Sequence, residues 1–294
     1  MPGCHTVGEL SFFDPEQAMA RMRRPYVQWL ARVGYAARGI VFVILAYFTA
    51  TAAIEAHQRP VGGKDALRSL LAAPLGSTLL AILTIGLFCF ALWREAQCIF
   101  DADRIGTDAK GLARRIVYGG SGLFYAGFAL VSLSMLIGID TMTTKGEIRD
   151  WSRWLLRQPF GDLALGAIGG AIIIAAVCIG IAGLRAQFRN RIGLKPKPRR
   201  LVTALGCAGY LTRSAVFALI GVFVVFAALH ANPHEATGLA GALMTIKDQP
   251  YGSALLAATA IGLLAFGAYG LAEALYRRID GQRITHSVPS WLSV

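Results

Sequence analysis

The sequence is poor in charged residues, which make up 16% of its 294 positions and include only 17 Asp and Glu. A hydrophobic share of 55% and a mean hydropathy of +0.53 give the chain more apolar surface than a soluble domain of this size could bury. The composition therefore excludes an ordinary soluble protein and indicates a lipid environment.

The sequence also lacks the short motifs that mark familiar enzyme and metal sites. It contains no Gly-x-Ser-x-Gly elbow, no His-Glu-x-x-His and no phosphate loop. The five cysteines have neither redox nor metal-ligand spacing, and Pro233 interrupts the helical spacing of His230 and His234. We therefore expect no enzyme activity, no metal and no cofactor.

What the sequence does contain is six long apolar runs. Each has close to the ~20 residues that a helix rising ~1.5 Å per residue needs to cross ~30 Å of hydrocarbon. A membrane barrel would need segments of ~10 residues that alternate in polarity, and the sequence has none. The runs predict six transmembrane helices, at about residues 36–54, 78–99, 117–139, 163–184, 215–230 and 253–275.

A repeated unit groups the six spans into three pairs. Each copy has a Tyr where an odd-numbered span begins and, about 40 residues later, a Pro-x-Gly before the even-numbered span. The Pro fixes φ and the Gly relieves crowding where the chain turns into the membrane. We interpret these residues as structural: Tyr35, Pro74 and Gly76; Tyr118, Pro159 and Gly161; Tyr210, Pro250 and Gly252.

The predicted fold is an all-α, polytopic membrane protein with six transmembrane helices in three tandem two-helix repeats. Equivalent faces of three related hairpins bury against one another when the hairpins surround a pseudo-threefold axis. A short segment with helical spacing before each Pro, such as the one with Trp151 and Trp154, predicts an interfacial helix ahead of each even span. The predicted boundaries are a tail at 1–28, repeats at 29–102, 111–187 and 203–279, a basic loop at 188–202 and a tail at 280–294.

The net charge of +12 is spread unevenly along the chain. Of the 29 Lys and Arg, 18 fall on the tails and the second and fourth loops, whereas eight fall on the first, third and fifth loops. By the positive-inside rule, this bias places both termini in the cytoplasm. The basic loop at 185–200 also suits an anionic lipid or a protein partner, while no nucleic acid is expected and no oligomeric state is indicated.

The clearest copy of the repeat reads Gly34-Tyr35-Ala36-Ala37-Arg38-Gly39, then Ala66-Leu67, then Pro74-Leu75-Gly76. This pattern resembles the bacterial integral-membrane family catalogued as domain of unknown function 1206, and the resemblance covers roughly Trp29 to Ile279. The second copy departs from it with Ser121 in place of Arg, and the third with Ser214 in place of Gly. The resemblance implies a six-helix protein of the bacterial inner membrane and implies no activity.

Polar residues at membrane depth are the candidate functional residues, because burying them in lipid is expensive. Gln97 and Glu273 both fall 23 residues after the Pro of their copy, where the second copy has Ala182. The candidates are Arg38 and Arg213 near the start of odd spans, and Glu95, Gln97 and Glu273 near the end of even ones.

The second copy lacks both the Arg and the polar residue at the Gln97 position. This joint loss is the basis for the hypothesis that Arg213 pairs with Glu273, and Arg38 with Glu95 or Gln97, since removing one partner would strand a poorly solvated charge. We interpret such pairs as structural clamps in preference to a transport gate. The alternative is that each Arg extends to the lipid headgroups on its own.

Two functions from different classes fit these features. The first is a non-catalytic membrane module that organises partner proteins or lipids through its basic loop and its Gly-rich packing faces. The alternative is a transporter or channel for a small solute or ion, with a path along the pseudo-threefold axis. The outer halves of the six spans have few polar residues to line such a path, so the sequence favours the module.

Overall fold

The computed structural model describes residues 15–55, 58–101, 106, 108–139, 147–186, 193 and 196–277. In this part of the chain the fold is all-α, and six helices are long and apolar enough to span a membrane, which confirms the predicted architecture. In chain order the helices are α1 (Pro15–Ile54), α2 (Gly63–Leu71), α3 (Gly76–Phe100), α4 (Ala109–Leu136), α5 (Glu147–Leu156), α6 (Gly161–Leu184), α7 (Pro196–Leu229), α8 (Leu239–Lys247) and α9 (Gly252–Tyr276).

The odd-numbered spans begin earlier than the sequence predicts. Tyr35 lies well inside α1, and α7 begins at Pro196, within the stretch predicted as a basic loop. Pro is tolerated in a first helical turn because the first N–H groups have no acceptor within the helix. The parts of the predicted basic loop and tails at 1–14, 188–192, 194–195 and 280–294 lie outside the described residues.

The three short helices α2, α5 and α8 precede the even spans, as predicted. Helix α2 packs on α1, α3 and α4, and it buries Ala66 and Leu67. Helix α8 packs on α7 and α9, and it buries Ala242 and Leu243. Helix α5 packs mainly on α6, so the second repeat is the least closed of the three.

The Pro-x-Gly turns share one backbone geometry. The middle residue of each turn is left-handed, with φ of 59° at Leu75, 60° at Phe160 and 64° at Tyr251. The following Gly is required because a Cβ there would overlap a carbonyl oxygen of the preceding short helix. The crowding expected from the sequence is therefore present, whereas the left-handed residue is a non-glycine that the sequence does not reveal.

We expect Gly252→Ala to destabilise the protein by about 1–3 kcal/mol, because the new methyl group would overlap the carbonyl oxygen of Lys247. Unfolding of the purified protein by increasing fractions of a denaturing detergent measures the effect. Gly170→Ala is the control, because a Cβ at Gly170 meets no atom within 4 Å. Equal losses of stability in the two variants would contradict the structural requirement for glycine at position 252.

The six spans form a ring in the order α1, α3, α4, α6, α7 and α9. Successive repeats pack extensively, through α9 with α1, α3 with α4, and α6 with α7. Within the first and third repeats α1 packs on α3 and α7 on α9, whereas α4 and α6 have at most marginal contact along the described residues. We call the end of the ring near Tyr35, Tyr118 and Tyr210 the Tyr end, and the opposite end, with the short helices, the Pro end.

The three interfaces between repeats are built from equivalent residues, as a pseudo-threefold axis requires. In each, the residue four positions after the repeat Tyr lies against the residue 21 positions after the repeat Pro. These contacts are Gly39 with Leu271, Gly122 with Glu95, and Ser214 with Gly180. The Ser214 hydroxyl also donates a hydrogen bond of 2.7 Å to the carbonyl oxygen of Ala176.

The open side between α4 and α6 has a local cause. In the closed hairpins, Gly34 and Gly209 lie so close to the partner helix that a Cβ would be 2.6 and 2.5 Å from the Cα atoms of Phe90 and Phe266. The second repeat has Val117 at this position, and that side chain is 49% exposed. The second repeat therefore lacks the glycine that the close approach in the other two hairpins requires.

Candidate functional site at the Tyr end

Among the described residues, the buried charged side chains lie at the Tyr end of the ring. They are Arg38, Glu273 and Arg277, with Asp101 at the end of α3. Towards the Pro end three buried hydroxyls have hydrogen-bond partners: Thr49 with the Leu45 carbonyl, Thr84 with the Leu80 carbonyl, and Ser132 with Thr84. Ser152 is also buried there, and the buried hydroxyl of Thr237 has no hydrogen-bond partner in the structure. The site is therefore confined to one end of the membrane-spanning bundle.

Glu273 is the centre of a buried ion-pair triad. Arg38 donates a 2.6 Å hydrogen bond from Nη2 to its Oε2, and Arg277 donates a 2.6 Å hydrogen bond from Nη1 to its Oε1. Both carboxylate oxygens are thus engaged, and the side chains of Arg38 and Glu273 are each 2% exposed. Arg38 does not extend to the headgroups, because its charge is neutralised inside the protein.

This triad corrects the expected pairing. We expected Arg213 to pair with Glu273, and Arg38 with Glu95 or Gln97, within their own repeats. Instead the pair joins α1 to α9, because the closest helix contacts run between successive repeats. In the described residues no carboxylate lies within ion-pair distance of Arg213.

The repeat equivalence shows which partner Arg213 lacks. Arg38 and Arg213 have Ser121 as their counterpart in the second repeat, and the counterpart of Glu273 at the α6–α7 interface is Ala182. The three interfaces therefore combine Arg38 with Glu273, Ser121 with Gln97, and Arg213 with Ala182. The second repeat does not lose an arginine together with its own partner, as the sequence suggested. It loses the carboxylate that would pair with the arginine of the third repeat.

The Arg213 guanidinium contacts aromatic rings and, among the described residues, no anionic side chain. Its guanidinium carbon lies 4.8 Å from the ring centroid of Phe217, 5.3 Å from that of Phe266 and 5.9 Å from that of Phe42. Its Nε is buried and has no hydrogen-bond acceptor in the structure. Cation–π contacts of this kind stabilise a guanidinium but supply no hydrogen-bond acceptor for its N–H groups.

Two rings link three arginines. The Phe90 ring lies 5.2 Å from the guanidinium carbon of Arg38 and 5.0 Å from that of Arg94. The Phe266 ring lies 5.0 Å from Arg38 and 5.3 Å from Arg213. The three positive charges therefore belong to one arginine–aromatic cluster, which we define as Arg38, Arg94 and Arg213 with Phe90 and Phe266.

Arg94 is a site residue that the sequence analysis missed. It also lies 4.8 Å from the Tyr118 ring centroid, and its Nη1 donates a 3.2 Å hydrogen bond to Oε1 of Gln97. Arg277 was missed too, because it was counted with the C-terminal tail. Its position four residues after Glu273, directly after the last residue of α9, was a signal that could have identified it.

Glu95 and Gln97 lie near the end of an even span, as the sequence predicts, but they do not pair with the arginine that the sequence suggested. Glu95 lies against Gly122 of α4, and its buried Oε1 has no hydrogen-bond donor in the structure. Gln97 is fully buried and accepts the bond from Arg94. These two residues therefore face the α3–α4 interface, and neither pairs with Arg38.

The repeat Tyr residues surround the cluster. The hydroxyl of Tyr35 accepts a 3.1 Å hydrogen bond from Nε1 of Trp93, and its ring lies 5.1 Å from the Arg38 guanidinium carbon. Tyr210 makes edge contacts with Phe266 and Tyr269, at centroid distances of 5.5 and 5.9 Å. The repeated Tyr thus provides part of the aromatic wall around the arginines.

The residues at the Tyr end suit anion binding better than metal binding. In the part of the chain that the structure describes, no group of three or more His, Cys, Asp and Glu side chains comes together. The cluster offers guanidinium N–H donors, which bind anions, and aromatic ring faces. Neither kind of group is a metal ligand.

Comparison with known proteins agrees with the threefold repeat. The family model Domain of Unknown Function (DUF1206) matches three segments of the chain, at residues 33–101, 116–186 and 208–277. An uncharacterised protein of Bacillus subtilis (strain 168), YxxB, is 30% identical over 266 residues, which cover 88% of this chain and 94% of that protein. No solved structure matches. The three family matches span most of the chain, which therefore belongs to the DUF1206 family of membrane proteins.

Proposed function

We propose that the protein is a non-catalytic membrane module that organises lipids, which enter the ring laterally between α4 and α6. The observation that carries this proposal is the open side of the ring. The two other hairpins and all three interfaces between repeats are closed by helix packing, so a guest can enter the ring only on the open side. A partner transmembrane helix is the competing guest, and the experiment below separates the two.

Glycines on the two helices that border the open side leave room for a guest. A Cβ at Gly120 or Gly127 of α4 would meet no atom within 4 Å, and neither would one at Gly170 of α6. Small residues along helices in lipid allow close approach of another chain. Arg94 on α3 and Arg213 on α7 belong to the helices next to α4 and α6, so a guest with a polar head would meet guanidinium groups at the Tyr end.

We place the Tyr end in the bacterial cytoplasm, with both termini there and the protein in the inner membrane. The support is the bias of Lys and Arg, 18 of which fall on the tails and on the two loops at this end. Polybasic segments at the inner leaflet attract anionic lipids. Arg185 directly after α6, and Arg199 and Arg200 near the start of α7, would therefore concentrate such lipids at this end.

A transporter is the alternative, and the polar side chains argue against it. Between the Pro end and the cluster, the buried polar residues that the structure describes are hydroxyls paired with protein atoms, as in Thr84 with Ser132. An ion path needs polar groups along its whole length. We expect proteoliposomes to show no chloride or phosphate flux above empty vesicles, and a flux that Arg213→Gln abolishes would replace the module with a transporter.

Native mass spectrometry of the full-length protein tests the module directly. We expect the wild type to retain lipid and the double variant Val117→Gly, Ala175→Phe to lose it, because this variant installs the Gly–Phe contact that closes the other hairpins. Ile116→Gly is the control, since Ile116 is exposed beside that position. Retention of lipid by the closed variant, or retention of a protein partner alone, would contradict lipid organisation.

A further inference from the structure

We propose that Arg213 binds a phosphate-type oxyanion, at the place where the equivalent Arg38 binds the carboxylate of Glu273. The inference deepens the proposed function and rests on it for the entry of a lipid headgroup. The phosphate belongs either to a lipid or to the free anion, and the experiment separates the two sources.

The charges of the site leave room for one more anion. Glu273 engages Arg38 and Arg277 with its two oxygens. Within the described residues, neither Arg94 nor Arg213 has a carboxylate at ion-pair distance. Burying a guanidinium at membrane depth without a counter-charge costs free energy. A residue of this kind is therefore a candidate ligand-binding residue.

The large side chains that α9 contributes near Arg38 have small counterparts on α6, the helix that packs extensively on α7, which carries Arg213. On α9, the positions 16, 19, 21 and 23 residues after the repeat Pro carry large side chains, as they do on α3. On α6 all four are small. The α9 residues are Phe266, Tyr269, Leu271 and Glu273, the α3 residues are Phe90, Trp93, Glu95 and Gln97, and the α6 residues are Ala175, Cys178, Gly180 and Ala182.

The surroundings of Arg213 favour an anion and position the guanidinium for it. Arg38 and Arg94 are near enough for their positive charges to act on Arg213. The rings of Phe217 and Phe266 fix the guanidinium plane, and its buried Nε lacks an acceptor. A fixed guanidinium binds an oxyanion with less loss of side-chain entropy than a free one.

Phosphate is the oxyanion that this arrangement fits. A guanidinium matches two oxygens of a phosphate or carboxylate with parallel hydrogen bonds. Ala182 and Ala175 lie on α6, which borders the open side, so a headgroup phosphate can reach Arg213 while its acyl chains remain in the bilayer. A soluble phosphate would reach the same atoms from the Tyr end.

Thermal unfolding of the full-length protein in nanodiscs tests the inference. The arms are phosphatidylcholine alone, phosphatidylcholine with increasing phosphatidylglycerol, and phosphatidylcholine with increasing inorganic phosphate, with potassium chloride at matched ionic strength. We expect saturable stabilisation of the wild type in one arm. The phosphatidylglycerol arm identifies a lipid as the source, and the inorganic phosphate arm identifies the free anion.

Two variants connect the stabilisation to Arg213. Arg213→Gln removes the ligand, and Ala182→Glu restores the missing carboxylate so that it pairs with Arg213 in place of the anion. We expect each to raise the half-maximal concentration at least about tenfold, and we expect Ala182→Glu to be more stable than the wild type in phosphatidylcholine alone. Leu184→Glu, an exposed position near the same end of α6, is the charge-matched control.

The outcomes are decisive in both directions. Stabilisation no greater than that by chloride, or a full response in Arg213→Gln or Ala182→Glu, overturns the inference. If Arg213→Gln does not fold, the comparison of Ala182→Glu with Leu184→Glu still decides it. A phosphatidylglycerol response that persists in the closed variant Val117→Gly, Ala175→Phe would contradict lateral entry and the proposed function, while leaving the anion at Arg213 in place.

Discussion

Replacing Glu273 with Gln should be among the most damaging single substitutions in the protein. The change leaves Arg38 and Arg277 buried without their shared carboxylate. Breaking a buried ion pair by removing one partner costs about 3–5 kcal/mol. We expect loss of most folded protein from mild detergent, measured as the monodisperse fraction in size-exclusion chromatography and as the midpoint of unfolding.

Glu95→Gln is the matched control for this prediction. Glu95 lies at a similar depth on α3, two residues before the counterpart of Glu273, and its buried Oε1 has no donor in the structure. Removing an uncompensated carboxylate should leave stability within about 1 kcal/mol of the wild type or raise it. Equal losses for Glu273→Gln and Glu95→Gln would show that the triad has no special weight.

The second large effect is expected for Gly34→Val, which gives the first repeat the residue that the second repeat has at Val117. A Cβ at Gly34 would lie 2.6 Å from the Cα of Phe90, so α1 and α3 must separate. Separation would break the contact between the Phe90 ring and Arg38 and the hydrogen bond between Tyr35 and Trp93. We expect a loss of at least about 3 kcal/mol, measured by unfolding in mixed detergent.

Gly127→Val provides the comparison for Gly34→Val. A Cβ at Gly127 meets no atom within 4 Å, so the valine would enter open space beside α4 without displacing a neighbour. Valine also has a higher helix propensity than glycine, by a few tenths of a kcal/mol. We expect stability near that of the wild type, and a loss comparable to Gly34→Val would mean that α4 packs more tightly than the structure indicates.

Much of the fold was predictable because it is written into the sequence three times. The lengths of the apolar runs gave the six spans, and the recurring Tyr and Pro-x-Gly gave the repeat and the short helices. The turns were predictable from neighbouring residues alone. The Gly lies against a carbonyl oxygen of the preceding short helix, so each copy of the turn requires a Gly. The left-handed Leu75, Phe160 and Tyr251 were not predictable, because nothing about these residue types favours positive φ.

The sequence predicted several residues of the candidate site but not which of them form ion pairs. Counting from the repeat Pro identified Gln97, Ala182 and Glu273 as equivalent positions, which the three interfaces support. Equivalence alone does not state whether an odd helix meets the even helix of its own repeat or of the preceding one. That choice depends on the packing of whole helix faces, and it decided that Arg38, and not Arg213, reaches Glu273.

The pairing of the first span with the last has a consequence for biosynthesis. Arg38 and Glu273 are 235 residues apart, and α1 packs extensively on α9. While the ribosome is still translating the middle of the chain, α1 is already available for insertion, and its guanidinium has no carboxylate. Such a charge can extend to the membrane surface only for as long as the helix is unpacked. The arrival of α9 is therefore the step that completes the ring, and truncation before Glu273 would leave the nascent chain a target for membrane proteases.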